Sequence, residues 1–427
     1  MDIRTSAIFI VLLAFLFYYG PKFSKELPVV VDGYTAPGFE SLLEVMRDNF
    51  VSGPEPKDSG SAFAAYYKGV KVAHLWGGYA DSESRSVWKE DTMTAAYSCT
   101  KGIAAISVAY LVDKGLLDYN VKVAKYWPEF GKSGKENITV EILLSHQAGI
   151  PFTPDVMTYN LFRDHDALGE ALAATTPLWQ PGTHGYHALT MGSYCSQLIK
   201  RVDPKNRTLG RFFAEEIAIP FDIDFHIGLP LKENYRVARL SFLSNNNALR
   251  VLKGITKEKN RRIAYAYMQP GSLVNKLLVN AGEVGELWHY NDPYVRSIEI
   301  PSALGIGTAE SLAKIYGILA NGGSFNGKTL LSPGLIEKLN SVVVPGVDAI
   351  FNYPSLIGLG TMITQLNETN TFGHPGNGGQ MSAADPKMRL GYAFLSRHSS
   401  SYGSGNDPRY LVLRDELYNC VRKLNKN

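Results

Sequence analysis

Three cysteines in 427 residues, Cys99, Cys195 and Cys420, are too few for a disulfide framework, and the odd number leaves at least one thiol free. Charge is sparse as well. Only 19% of residues are charged, the net charge is +3 and both signs are spread along the chain, so nothing marks a nucleic-acid surface. No Gly-x-Ser-x-Gly elbow occurs, which excludes an α/β-hydrolase. Neither His-Glu-x-x-His nor a paired Cys-x-x-Cys occurs, so a zinc hydrolase has no visible site, and His184-Gly-Tyr-His187 is too isolated to serve as a metal pair. There is no internal repeat and no low-complexity tract.

What is present is apolar and aromatic. Hydrophobic residues make up 45% of the chain, enough for a large core, and 24 tyrosines and 19 phenylalanines are available to fill it or to line a pocket. Near the N-terminus, Ala7 to Tyr19 is an uncharged run. As a helix it spans roughly 20 Å, short of the roughly 30 Å hydrocarbon core and suited to a signal-peptide core. No small-x-small cleavage site follows in Gly20-Pro-Lys-Phe-Ser24, while Tyr18 and Tyr19 suit a membrane interface. The expectation is an uncleaved, single-pass signal anchor with its flank over residues 1–25, a linker over 26–37 and one catalytic unit over 38–427. Arg4 and the amino terminus balance Lys22 and Lys25, so charge does not choose the topology. Three sequons, at Asn137, Asn206 and Asn367, tip the expectation towards a lumenal or extracellular domain, secreted if the segment is cleaved.

Along the rest of the chain, Phe39, Leu43, Met46 and Phe50 mark a helix. Ala62–Tyr67 and Val70–Tyr79 read as strands joined at Lys68-Gly69. Asp118–Ala174 and Leu189–Phe221 read as mainly helical. Residues 245–297 show no readable periodicity, and the basic run Lys257–Arg262 reads as a solvated face. Leu356–Gln365, Gly379–Asp385 and Leu390–Ser396 read as strands, and Pro408–Lys423 as a closing helix. Strands at both ends with helices between them imply an antiparallel sheet assembled from distant segments.

The chemistry centres on Tyr97-Ser98-Cys99-Thr100-Lys101, placed where the apolar helical run from Gly102 to Gly115 begins. Residues three apart share a helix face, so Lys101 can reach the Ser98 hydroxyl and activate it. Desolvation beside a helix N-terminus lowers a lysine's proton affinity. The Ser98 N–H, at the helix start, is a natural oxyanion donor. Ser86-x-x-Lys89 and Ser311-x-x-Lys314 share the spacing, and what singles out Ser98 is its company. Tyr186 follows a Pro181-Gly182 turn and precedes a second helix; His374-Pro-Gly376-Asn377-Gly-Gly-Gln380 lies near the C-terminus between strand-like runs.

In this order the three motifs resemble the serine β-lactamase-like family, in its branch of class C β-lactamases, penicillin-binding proteins and carboxylesterases. Ile142-Leu-Leu-Ser-His146-Gln-Ala-Gly149 and Gly307-Thr-Ala-Glu to Leu319-Ala-Asn-Gly-Gly323 are similar to lesser landmarks of that family. The resemblance implies an α/β (α+β) fold with a central antiparallel sheet, flanking helices and a mainly helical insert. It implies Ser98 as nucleophile, Lys101 as base or its assistant and Tyr186 as proton shuttle. His374 would orient substrate or tune Tyr186, Gly376 would let substrate approach the strand, and the Asn377 N–H would be the second oxyanion donor. No cofactor or metal is implied, and the partner is a small-molecule or peptide acyl substrate. His146 reads as a structural helix-end residue.

Two departures bear on substrate. The family's Tyr-x-Asn has Ala188 in its third position, and Pro375 stands where many relatives have threonine. Both argue against a β-lactamase or D-Ala-D-Ala peptidase, and are compatible with an esterase or amidase of a less charged acyl group. Gly322-x-x-x-x-Gly327-Lys328-Thr329 is a formal Walker A match, but a helical run precedes it where a P-loop needs a strand. The alternative from another class is a membrane-tethered, catalytically weak or inactive scaffold that keeps the fold for assembly.

Overall fold

The computed structural model describes residues 27–242, 265–266, 269–366, 369–400, 402 and 405–426. Among these no helix is long and apolar enough to cross a membrane; the run Ala7–Tyr19, the basic run Lys257–Arg262 and the sequon asparagine Asn367 lie outside the described residues.

Among the described residues, fifteen strands are numbered in chain order: β1 (Val31–Thr35), β2 (Gly60–Tyr67), β3 (Val70–Asp81), β4 (Ser86–Val87), β5 (Thr94–Tyr97), β6 (Phe225–Ile227), β7 (Gly305–Gly307), β8 (Ser324–Phe325), β9 (Lys328–Thr329), β10 (Val344–Val347), β11 (Pro354–Ile357), β12 (Met362–Leu366), β13 (Thr369–Pro375), β14 (Met381–Asp385) and β15 (Leu390–Ser396). The main sheet runs β1-β3-β2-β15-β14-β13-β12-β11-β10, every pairing antiparallel, with β4 on β3. β2 pairs with β15 from Tyr67↔Leu390 to Ser61↔Ser396, which joins the two ends of the chain at the centre of the sheet.

All eight residues of β2 are buried, because both faces of the sheet are covered. Phe63, Ala65 and Tyr67 pack into one core with helices α1 (Ser41–Val51) and α5 (Pro408–Leu424). Ala62, Ala64 and Tyr66 face the other core, which holds α2 (Cys99–Asp113), α3 (Thr190–Val202) and α4 (Ala309–Ala320). The two-residue alternation of a strand thus divides one segment between two cores. The β2–β3 turn is Lys68 (φ +51) and Gly69 (φ +79), both left-handed as a tight hairpin of matching twist requires.

Some elements differ from the sequence reading. Gly358–Gly360 breaks the expected strand Leu356–Gln365 into β11 and β12. The stretch Asp118–Ala174, expected to be mainly helical, holds α-helices of only four to ten residues, with longer connecting segments between the first three. Within the stretch that showed no periodicity lies a helix, Leu273–Ala281, whose Val274, Leu277 and Ala281 are buried at helical spacing. The Walker-like segment is the hairpin β8–β9, its turn made by Asn326 (φ +49) and Gly327 (φ +75). That geometry gives no strand-to-helix phosphate loop.

Candidate active site

A second, three-stranded sheet, β5-β7-β6, delivers the chain to Ser98. Tyr97, the last residue of β5, has φ +46, a conformation rare for an aromatic side chain, and it turns the chain sharply into α2. The Thr100 hydroxyl fixes this turn: it donates to the Tyr97 carbonyl at 2.5 Å and accepts the Gly305 N–H at 2.8 Å. Ser98 is half-buried at the N-cap position of α2. α2 is buried all round from Cys99 to Ala109, so its first turn carries Lys101 inward with no exposed surface.

Lys101 Nζ lies 3.2 Å from Ser98 Oγ, donates to the Ser302 carbonyl at 2.8 Å and sits 4.8 Å from the centre of the Tyr186 ring. Burial pulls its pKa down to about 7, with nearby Cys99 and Cys195 opposing the shift. Ser302 is itself fixed, since its hydroxyl donates to the Leu189 carbonyl and accepts the Gly192 N–H at the start of α3. Tyr186 is buried, and burial holds its hydroxyl protonated well above the ordinary phenol range, with the neighbouring Ser98 hydroxyl opposing the shift. Its backbone N–H donates to Asp348 Oδ2 at 2.8 Å, and Asp348 Oδ1 also accepts from Ile350 and Phe351. The ring is enclosed by His146, Phe351 and His374, at centroid distances of 5.1, 5.8 and 5.9 Å.

Burial holds these two histidines, and His187 behind them, neutral. His374 Nδ1 lies 2.7 Å from the Pro375 carbonyl, an obligate acceptor, so Nδ1 carries the hydrogen and Nε2 is left as an acceptor; burial and the charge of Lys101 pull its pKa down to about 3. His187 Nδ1 donates to Gly185 while Nε2 accepts from Ile150, and burial lowers its pKa to about 4. His146 Nδ1 accepts the His187 N–H, and burial holds it uncharged.

The glycine-rich segment closes the site. The Cys99 thiol donates to the His374 carbonyl at 3.0 Å, which ties α2 to the end of β13. A Cβ on Gly376 would fall 2.5 Å from the Ala96 carbonyl and 2.8 Å from Gln380 Cβ. The absence of a side chain at Gly376 therefore lets the turn pack against the chain just before Ser98. Exposed Asn377 opens the turn Asn377–Gly379. Among the described residues neither the Ser98 N–H nor the Asn377 N–H has an acceptor.

Ser98, Lys101, Tyr186 and His374 thus meet in one place, and Gly376 brings the Asn377 turn beside them. The sequence reading missed Ser302 and Asp348, which belong to no motif; His146, read as structural, packs against the Tyr186 ring, with His187 behind it. Ala188 joins an apolar cluster: it packs with Phe152, Trp179 and Phe351 against Val274, Leu277 and Ile350.

A helix-borne serine and a buried lysine beside a large antiparallel sheet define a class of serine hydrolase distinct from the α/β-hydrolases. Within that class the chain belongs to the beta-lactamase family, whose model matches residues 48–415. The esterase/beta-lactamase LipL of Mycobacterium tuberculosis (strain ATCC 25618 / H37Rv) is 32% identical over 373 residues, 86% of this chain and 82% of LipL. Among solved structures, a family VIII carboxylesterase superposes with a TM-score of 0.79 at 33% identity, covering 92% of this chain and 100% of its own. A penicillin-binding protein homologue from Caulobacter crescentus gives 0.75, also at 33% identity, with coverage of 92% and 100%. The enzyme is a serine hydrolase of this family.

Proposed function

We propose that the enzyme cleaves an ester or amide of a weakly polar acyl group through an acyl-enzyme on Ser98. The observation that carries this reading is Lys101, fully buried, 3.2 Å from Ser98 Oγ and with its pKa pulled down to about 7. Lys101 is then about half amine near neutrality. With one N–H held by Ser302, it keeps a lone pair for the Ser98 proton. Ser98 Oγ attacks the substrate carbonyl as that proton passes to Nζ, and the oxyanion forms against the Ser98 and Asn377 N–H groups. Tyr186, held protonated by burial, is a relay rather than a resident base: it gives its proton to the leaving group and is refilled from Lys101. Water, activated by the same groups, then splits the Ser98 ester.

Ala188 and the apolar cluster around it support an acyl side without a buried polar partner, and neutral His374 offers no cation to a substrate carboxylate. The names of LipL and of the family VIII carboxylesterase agree with ester cleavage. We further propose that residues 1–25 tether the domain to a membrane. The catalytic reading is tested with p-nitrophenyl acetate and butyrate. Ser98→Ala should lose a factor of about 10³ or more in kcat, and Tyr186→Phe about 10²–10⁴, with both proteins folded. Turnover that survives Ser98→Ala overturns it.

A further inference from the structure

Beneath the turn that presents Asn377 lies a buried ion cluster that the reaction steps above do not use. Arg409, in the first turn of α5, is 2% exposed, and Glu55 and Asp407 are 2% and 0% exposed. Asp407 grips the guanidinium in a fork, Oδ1 accepting Nε at 2.9 Å and Oδ2 accepting Nη2 at 2.8 Å. Nη1 reaches Glu55 Oε1 at 3.2 Å and the Ser396 hydroxyl at 3.0 Å. Nη2 also donates to the Gly378 carbonyl at 2.8 Å, in the middle of the turn Asn377–Gly379.

Two facts tie this cluster to the turn rather than to the core in general. Gly379 has φ +102, and a Cβ there would lie 2.1 Å from Asp407 Oδ2 and 2.7 Å from Arg409 Nη2. The clamp therefore occupies the volume a side chain would need. The Gly376 N–H closes the turn onto the Gln380 carbonyl, while the Gln380 side chain is locked to the Ser396 backbone in both directions, at 2.8 and 2.7 Å. Stability alone does not account for one guanidinium and two carboxylates inside a protein, because apolar replacements of such clusters are often no less stable. A carbonyl held by a planar, rigid fork, however, has a fixed direction.

We propose that Arg409 is a positioning residue for the oxyanion site: by holding the Gly378 carbonyl from beneath, it fixes the turn that aims the Asn377 N–H. This rests on the acyl-enzyme reading above. The test measures p-nitrophenyl butyrate turnover per active site, with sites counted by fluorophosphonate labelling taken to completion. It also measures inhibition by an alkylboronic acid, which forms a tetrahedral adduct. Arg409→Lys keeps the charge and loses the fork. Its kcat per site should fall about 10- to 100-fold, with KM within about threefold and boronate affinity reduced by a similar factor, a partial loss of one oxyanion donor. Asp407→Asn, which loosens the same fork with little change in size, should move in the same direction and decides the matter if Arg409→Lys does not fold. Leu417→Ala, buried in the same helix, is the structural control: it should lower Tm and leave kcat per site within about twofold. Clamp variants that behave like Leu417→Ala overturn this inference alone. A wild type without Ser98-dependent turnover overturns the acyl-enzyme reading and this inference with it.

Discussion

A buried lysine can act as a base only where burial lowers its proton affinity, and at Lys101 burial brings the pKa down to about 7, so that about half of it is amine near neutrality. Turnover of a neutral ester should therefore rise with pH through an apparent pKa near 7, read from kcat/KM between pH 5 and 9. His374 titrates near 3 and should add no second step in that range. A flat profile would remove Lys101 from the base role. The same shift has a thermodynamic face. The folded-state pKa, about 7, lies below the ordinary value of 10.5, so between those values the unfolded chain holds a proton that the folded chain has lost. Stability should rise with pH across that window, and the stabilising contribution should be absent below pH 7. Lys101→Met should flatten the rise, measured as Tm against pH; an equally steep rise in the variant would place its source elsewhere.

At the scale of elements, the site is assembled where helices and strands end. Ser98 begins α2, Tyr186 precedes α3, His374 and Gly376 end β13 or follow it, and the Asp348 turn lies between β10 and β11. Asp348 is the tie that holds Tyr186 by its backbone, while accepting two further amides. Asp348→Ala strands those three donors, each worth about 1–3 kcal/mol if left buried and unpaired. The expected outcome is a lower Tm together with a fall in kcat of about tenfold or more. Unchanged kcat in the folded variant would show that Tyr186 is placed by its ring contacts alone. This level also explains what was readable beforehand. Ser98, Lys101, Tyr186 and His374 sit in short motifs with fixed spacing, so local pattern was enough. Asp348 and Ser302 act through one carboxylate and one carbonyl brought in from distant segments, and no spacing encodes that. The helix Leu273–Ala281 was missed for another reason: its polar face is thin, with Leu278 and Val279 exposed, which blurs the helical period.

At the scale of the molecule, the pairing of β2 with β15 makes the two ends of the chain one structural unit, as strands at both ends had implied. The order of strands inside the sheet was not legible, because antiparallel pairing leaves no mark in a single sequence beyond alternation. The apolar run Ala7–Tyr19 bears on where the enzyme works rather than on how. The full chain should remain with membranes after alkaline extraction and the chain from residue 27 should not; release of both would contradict the tether. Central to the account is covalent chemistry at Ser98, and one measurement addresses it most directly. The chain from residue 27 is incubated with a fluorophosphonate and weighed intact, then digested to locate the adduct. One phosphonyl group on Ser98, absent from Ser98→Ala and slowed in Tyr186→Phe, is the result expected here. A folded protein that gains no mass, or gains it on another residue, would contradict the account.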